Sequence, residues 1–348
     1  MHFYTLEEII ENGIRVIINP KAGKRSKNVE DDLRHLLGMD HINYYLSNSK
    51  QDITEMVSSF ADKAEKKQST IMVLIVGGDG TYSDAINASG NLKKLIFGFT
   101  DGGTSSDFAR SLNTKTRHRT GNLVNALRDD EVALEEHVKP IDLLRVSYTE
   151  DDQGKELRAL NLFSTGFDGE VCKIVNESVE TGGIKKKAGF VSVAKRVLKH
   201  YSPLNIDYVI NNDLAGKVTA RDVLTFVLIN GRYAGSGINY NPYFDLSDGY
   251  IEGMIAKKRG TLDLLNMAFH MKVLQDNRHI DLPPVKDGYN RLGVRYENKI
   301  NSITLQVTNA DGKKEGYFET DGEHQRYNPQ HPVKIEVLPQ ATNALYVP

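Results

Sequence analysis

The sequence holds a single cysteine, Cys172, in 348 residues. No intrachain disulfide can form and no zinc site built on cysteines is available, and one thiol suits a reducing compartment. Charge of one sign is also missing. Lys and Arg number 44 against 46 Asp and Glu, for a formal net charge of −2, which excludes a strongly basic nucleic-acid coat but leaves room for a local basic patch. No window approaches the roughly 20 apolar residues of a membrane-spanning helix. The first residues, Met1 to Glu8, carry acids and no apolar stretch of the secretory kind. The expected setting is therefore cytoplasmic, with any membrane contact peripheral. Internal repeats and low-complexity tracts are absent too. What is present is ordinary globular material, 39% hydrophobic and 26% charged, at a length that fits two domains.

The most informative segment is Gly77-Gly78-Asp79-Gly80-Thr81. It follows an unbroken apolar run, Ile71 to Val76, and precedes a helical pattern over Tyr82 to Ala88. Such a run, ended by glycines and followed by a helix, reads as a buried parallel strand feeding a tight turn. Glycines lack the Cβ atoms that keep ligands from the backbone. The turn and helix start then offer N–H groups to a phosphate. Asp79 would repel a bare phosphate but fits a site in which a divalent cation or its waters intervene. A Gly-rich βα turn without any ligand is the bland alternative.

Further strands are expected at Arg15–Ile18 and Leu95–Phe99, and helices at Val29–Leu37 and Asp52–Lys66, the latter with Ile53, Met56, Val57 and Phe60 on one face. A second glycine turn runs from Asp101 to Asp107. This βαβαβ rhythm predicts a parallel α/β domain with both glycine turns at the carboxyl edge of the sheet, where such folds place ligands. Near Val138 the pattern changes to strands at Ile141–Val146, Ile206–Ile210, Val223–Ile229, Tyr250–Ala256 and Ile303–Val307, with helices at about 185–201 and 261–276. The fold class expected is α/β with a second, β-rich antiparallel domain. The domains are drawn as 1–138 with 329–348 and as 139–328, the late strand Val333–Pro339 returning to the first.

Separated segments then line up in order: Asn19-Pro20-x-Ala22-Gly23, Gly77 to Thr81, Gly103-Thr104-x-x-Asp107-Phe108-Ala109-Arg110, Asn230 to Gly235, Pro242, Asp248-Gly249 and Asp321-Gly322-Glu323. The set resembles the diacylglycerol kinase catalytic-domain family of lipid kinases, which also holds sphingosine and ceramide kinases, from about residue 14 to the C-terminus. The resemblance implies an ATP- and Mg²⁺-dependent enzyme that passes the γ-phosphoryl group to a lipid hydroxyl, most simply diacylglycerol to phosphatidic acid. It implies that Asn19, Gly77, Gly78, Asp79, Gly80, Thr81, Gly103 and Thr104 surround the nucleotide. Asp79, Asp107 and Asp142 match the acids that organise Mg²⁺ and its waters. Asp321 matches the base that takes the hydroxyl proton, and Glu323 the acid that supports it. Asp248 matches a structural Mg²⁺ ligand, with carbonyls of Asp245 and Tyr250 beside it. His324 matches no family role. Relatives are often dimers, so a homodimer is a further expectation by analogy.

Read on their own, Asp107 and Asp142 are a turn acid and a strand-edge acid, Asp321-Gly322 is an ordinary hairpin turn, and Ser247-Asp248-Gly249 is a plain turn. The chain also departs from the family pattern. Ser106 stands where the family has Asn, Asp101 where it has Pro, and Ser236 where it has Gly; the first two bear on the nucleotide pocket. A small-molecule kinase of the NAD kinase type and a catalytically impaired lipid- or nucleotide-binding regulator are the alternatives. The first is opposed by Asn230–Gly235 and by Asp321-Gly322-Glu323, the second by the retained acids. Finally, Lys185–Lys187 lead into a helix with Phe190, Val191, Ala194, Val197, Leu198 and Tyr201 on one face and Lys195, Arg196 and Lys199 on the other. It is either a solvated face over a core or a contact for an anionic membrane, since each cation near such a surface contributes about 1 kcal/mol.

Overall fold

The structure, a computed structural model, describes residues 13–21, 42–101, 106–112, 137–181, 186–260, 271, 273, 275, 277–308 and 315–346. The helix expected at Val29–Leu37 lies outside the described residues, as does most of the one expected at 261–276. The chain divides into two compact units: Met1–Leu143 with Leu246–Asp248 and Pro339–Pro348, and Leu144–Asp245 with Gly249–Leu338.

Unit one is a parallel sheet with helices between its strands. Its elements are β1 (Ile14–Ile18), β2 (Ile42–Leu46), α1 (Lys50–Lys67), β3 (Ile71–Gly77), α2 (Asp79–Ile86), β4 (Leu95–Asp101) and α3 (Asp107–Leu112). The strand order is β2-β1-β3-β4, parallel throughout. All seven residues of β3 are buried, which is why its sequence is continuously apolar rather than alternating. Helix α1 is capped by the Ser49 side chain, which accepts from the Asp52 N–H, and it buries Ile53, Val57 and Phe60.

Helix α2 starts at Asp79, three residues before the helical pattern the sequence suggests. The Asp-Gly-Thr of the glycine turn is itself the first turn of the helix, and only Gly78 remains outside as an extended N-cap. Gly77 has no room for a side chain, since a Cβ there would lie 2.5 Å from the Thr81 side chain. The absent Cβ lets the helix fold back directly onto the end of its own strand.

Unit two is antiparallel. Strand β5 (Val138–Glu150) enters it and turns into β6 (Gln153–Ala159). Then follow β7 (Leu162–Gly166), α4 (Phe167–Glu180), α5 (Lys186–His200), β8 (Leu204–Ile210), β9 (Val218–Ile229), β10 (Ile251–Lys257), β11 (Val294–Ile300), β12 (Ser302–Val307), β13 (Gly316–Thr320), β14 (Glu323–Tyr327) and β15 (Val333–Leu345). Pairing runs β14-β13-β7-β9-β8-β12-β15, with β10 joining β9 to β11. A core of Phe163, Tyr208, Phe226, Ile303 and Phe318 lies inside, with Phe163 and Phe318 ring centroids 5.2 Å apart. Strand β15 pairs with β12 through Val333–Glu336. Past Pro339 the chain belongs to unit one, where Asn343 and Ala344 pair in parallel with β4.

Helix α4 lies against β7, β13 and β14. A Cβ on Gly169 would sit 2.3 Å from the Tyr317 carbonyl oxygen, so the helix can approach β13 this closely only without a side chain there. Helix α5 turns Val193, Ala194 and Val197 toward Val171 and Val175 of α4, and leaves Lys195, Arg196 and Lys199 exposed.

Candidate functional site

In unit one the end of β1 meets the glycine turn. The Asn19 N–H donates to the Val76 carbonyl at 3.0 Å, and its side-chain amide donates to Thr81 Oγ1 at 3.0 Å. Its Oδ1 accepts from the Lys21 N–H at 3.0 Å. Tyr82, fully buried, donates its hydroxyl to the carbonyls of Gly77 and Thr100, bracing β3 against β4. No side chain caps α2 at Gly78. An uncapped helix start has N–H groups that a phosphate can take.

Asp79 reaches across to the next helix. Its Oδ2 accepts from the Asp107 N–H at 3.1 Å and its Oδ1 from the Phe108 N–H at 3.2 Å. The carboxylate therefore caps α3, a role its place in the sequence does not reveal. Asp107 is buried and lies 3.5 Å from the Arg110 guanidinium. Asp142, with no exposed surface, accepts from the Gln340 N–H at 2.7 Å, and its own N–H donates to the Leu246 carbonyl at 2.7 Å. The structure thus brings Asn19, Gly77 and Thr81 together, and Asp79 with Asp107. Gly103 and Thr104 lie outside the described residues. Among the described residues, no group of three or more Asp, Glu, His or Cys is set to hold a metal ion. Asp245, Asp248 and Tyr250 are exposed on the bend around Gly249.

In unit two, Asp321 and Gly322 are the two central residues of the β13–β14 hairpin, at φ +52° and +86°. Both signs are positive, as a type I′ turn requires, and Asp-Gly is a favoured pair for it. The local geometry is therefore the plain hairpin. The environment is not plain. Asp321 is only 4% exposed, and its carboxylate accepts from the N–H groups of Leu160 at 2.7 Å, Asn161 at 2.9 Å and Leu162 at 3.0 Å. Burial pushes its pKa up to about 6, against the opposing pull of those donors. Two of the bonds fall on Oδ1 and one on Oδ2, so among the described residues a carboxylate with about four acceptor positions retains one on Oδ2.

Two further acids that the sequence did not single out are Glu319, two residues before it, and Asp168 of α4. Glu319, on β13, is pushed up to about 8 by burial, then by the charges of Asp168 and Asp321. Asp168, in the first turn of α4, is raised by burial and held by the Thr225 hydroxyl at 2.7 Å. Glu323 opens β14 opposite Thr320. The Gly322 carbonyl accepts from the Asn176 amide at 3.1 Å and from the Cys172 thiol at 3.4 Å, so α4 braces the turn. Unit two also contains a cavity of 280 Å³, lined among others by Gly166, Glu170, Val197, Tyr201, Tyr317 and Tyr327. A smaller apolar cavity, walled by Phe163, Ile206 and Leu305, shares Thr165, Val307 and Tyr327 with it.

These two folds, a parallel α/β unit with a glycine turn and an antiparallel unit with a buried acid, agree with two family models. Residues 13–146 match the diacylglycerol kinase catalytic domain, and residues 161–346 match the YegS C-terminal NAD kinase beta sandwich-like domain. The chain belongs to the diacylglycerol kinase-like family of kinases that these two domains define. A Staphylococcus aureus protein (strain Mu3 / ATCC 700698) named "Putative lipid kinase" is 24% identical over 319 residues, covering 88% of this chain and 87% of that one. Among solved structures, "a putative diacylglycerol kinase" from Bacillus anthracis str. Sterne superposes with a TM-score of 0.65 at 19% identity, over 97% of this chain and 96% of that one. A second, titled as a diacylglycerol kinase of the same organism, gives 0.62 at 17% identity, over 97% of each chain. At those identities the likeness shows the fold. The kinase family itself implies ATP as the phosphoryl donor.

Proposed function

We propose that the chain is a lipid kinase that transfers the γ-phosphoryl group of ATP to a lipid hydroxyl, with diacylglycerol as the acceptor and phosphatidic acid as the product. The observation that carries this reading is Asp321: a buried carboxylate, fixed by three backbone N–H groups, with one acceptor position left and a pKa pushed up to about 6. At pH 7 its ionised form outweighs the protonated form by about tenfold. It is thus ready to accept a proton, yet basic enough to hold one in the transition state.

Phosphoryl transfer needs positioning and charge neutralisation more than covalent chemistry. In this reading Asn19, Gly77–Thr81, Gly103 and Thr104 hold the nucleotide, and the uncapped start of α2 receives phosphate oxygens. Asp79, Asp107 and Asp142 form no direct three-acid ligand set among the described residues, so in this reading their carboxylates would hold Mg²⁺ through its waters. Bound there, Mg²⁺ would neutralise phosphate charge. Asp248, with the carbonyls of Asp245 and Tyr250, is the candidate for a separate structural Mg²⁺. Asp321 takes the proton of the acceptor hydroxyl and Glu323 supports it. The 280 Å³ cavity, at the small end of ligand sites, takes part of the lipid, its polar rim and apolar neighbour matching an amphiphile. The exposed cations of α5 meet the anionic surface from which the lipid is drawn.

The test is incubation of the purified protein with γ-labelled ATP, Mg²⁺ and mixed-lipid vesicles containing diacylglycerol, beside a reaction with NAD as the acceptor. Label in phosphatidic acid is expected. Label in NADP would favour a small-molecule kinase, consistent with the name of the second family model. Label in neither would favour a non-catalytic binding protein.

A further inference from the structure

Leu160 and Asn161 form a bend between β6 and β7. Three consecutive N–H groups, those of Leu160, Asn161 and Leu162, converge there on the Asp321 carboxylate. Successive N–H groups turned toward one point make an anion site. A straight strand cannot do this, because its N–H groups alternate between its two edges. Donors spent on Asp321 are not available to a ladder, so the bend must be held by other bonds.

Two buried asparagines supply them. The β7–β9 ladder ends with Leu162 opposite Ile229, and Asn161 and Asn230 stand just beyond it, 4% and 0% exposed. The Asn230 N–H donates to the Asn161 carbonyl at 2.8 Å, and the Asn230 amide to the Leu160 carbonyl at 3.2 Å. The Asn161 amide donates to the Tyr233 carbonyl at 2.9 Å, and its Oδ1 accepts from the Gly231 N–H at 3.2 Å. A side-chain amide both donates and accepts, and each end of Asn161 meets the group it needs. Four bonds thus join the bend to the 230–233 loop, and none of them uses an N–H that goes to Asp321. The loop is itself closed by a short hairpin that pairs Tyr233 with Asn239. The Asn230–Gly235 segment, to which the nucleotide and metal readings give no task, therefore backs the donors of Asp321.

We propose that Asn161 and Asn230 are positioning residues for Asp321: locked together past the ends of β7 and β9, they hold the 160–162 bend in the shape whose N–H groups meet the carboxylate. Their side chains act through the backbone that does the donating. All of these groups lie in unit two. The role rests on the reading of Asp321 as the base. Fixed N–H donors favour the ionised carboxylate, so loosening the lock should let Asp321 keep its proton to higher pH.

Asn161→Ala and Asn230→Ala each remove part of the lock and leave every backbone donor in place. Asn230→Ala is the milder, because it keeps the backbone bond to the Asn161 carbonyl, and it carries the test should Asn161→Ala fail to fold. Asn290→Ala is the control. Asn290 is also buried and also ties backbone together, bonding the His279 carbonyl and the Leu292 and Val294 N–H groups, away from the bend. The titratable groups on the elements around the turn, Glu319 of β13, Asp168 and Cys172 of α4, Glu323 and His324 of β14, and Arg232, are unaltered in all three variants. The first readout needs no substrate: titration of the Asp321 carboxyl by ¹³C NMR with labelled aspartate, its signal assigned by its loss in Asp321→Asn. The midpoint should rise by at least about one unit in the two lock variants and stay at the wild-type value in Asn290→Ala. An unmoved midpoint in the lock variants, or an equal rise in Asn290→Ala, overturns the positioning role. The second readout is kcat against pH with ATP and diacylglycerol vesicles. The acid limb should move up with the midpoint, since a one-unit rise lowers the ionised fraction about fivefold at a pH equal to the wild-type midpoint. A loss of kcat by the same factor at every pH, with the limb unmoved, marks a merely structural effect and overturns the role. Absence of phosphoryl transfer in the wild type overturns the kinase reading, while the NMR midpoints still decide whether the two asparagines hold the donors of Asp321.

Discussion

Ser106 occupies the position where the family pattern has Asn, and its backbone explains what that position demands. It is held at φ +48° with no exposed surface, and its hydroxyl stands 3.5 Å from the Gly77 carbonyl. The left-handed region costs ordinary residues roughly 1–2 kcal/mol, and Asn is among the few that visit it routinely. Ser is short enough to be accommodated there. A β-branched residue is not, because its second branch on Cβ crowds the backbone. Ser106→Val should therefore lower stability by at least about 1–2 kcal/mol in urea melts. Unchanged stability would mean that this residue does not hold the left-handed conformation. The consequence reaches the glycine turn, because the two residues after Ser106 donate their N–H groups to Asp79.

At the scale of elements, α4 ties the hairpin turn to the rest of unit two. It carries Asp168, and it supplies Cys172 and Asn176 to the Gly322 carbonyl. Its contact with β13 depends on Gly169, where a Cβ would meet the Tyr317 oxygen at 2.3 Å. Gly169→Ala should push the helix off the strand and cost about 1–3 kcal/mol, the usual range for overpacking. Calorimetric melting beside the wild type measures it, and an unchanged Tm would contradict the close approach. The same elements show what a sequence can disclose. Strand β3 is legible because both its faces are buried, so Ile71–Val76 needs no partner to be recognised. The start of α2 is not, because Gly78-Asp79-Gly80 has loop composition, and only the fold of Thr81 over Gly77 makes it helical. Asp321 is visible as a motif and, locally, as a hairpin. What lifts its pKa is burial, and the N–H groups that pull it back down belong to Leu160, Asn161 and Leu162, about 160 positions away. Glu319 and Asp168 carry no motif signal and emerge only when α4 is laid across β13.

At the scale of the whole molecule the composition is nearly balanced, at a net charge of −2, so the proposed attraction to an anionic membrane would have to be local. Among the described residues no helix is long and apolar enough to cross a bilayer. The apolar side of α5 is used on α4, which leaves its cations as the contact available to a surface. Replacing Lys195, Arg196 and Lys199 by Gln should weaken binding to anionic vesicles by up to about 3 kcal/mol, from about 1 per cation. Added salt should weaken wild-type binding in the same direction. Co-sedimentation that gives equal binding for both proteins would show these residues to be a solvated face only. The central claim, that this fold positions Asp321 to take a proton from a lipid hydroxyl, is tested most directly by Asp321→Asn. With diacylglycerol vesicles and saturating ATP, kcat should fall by at least about 10²-fold, while ATP binding measured by calorimetry stays within about twofold, since the base acts on the acceptor. Wild-type kcat in the variant would contradict the account.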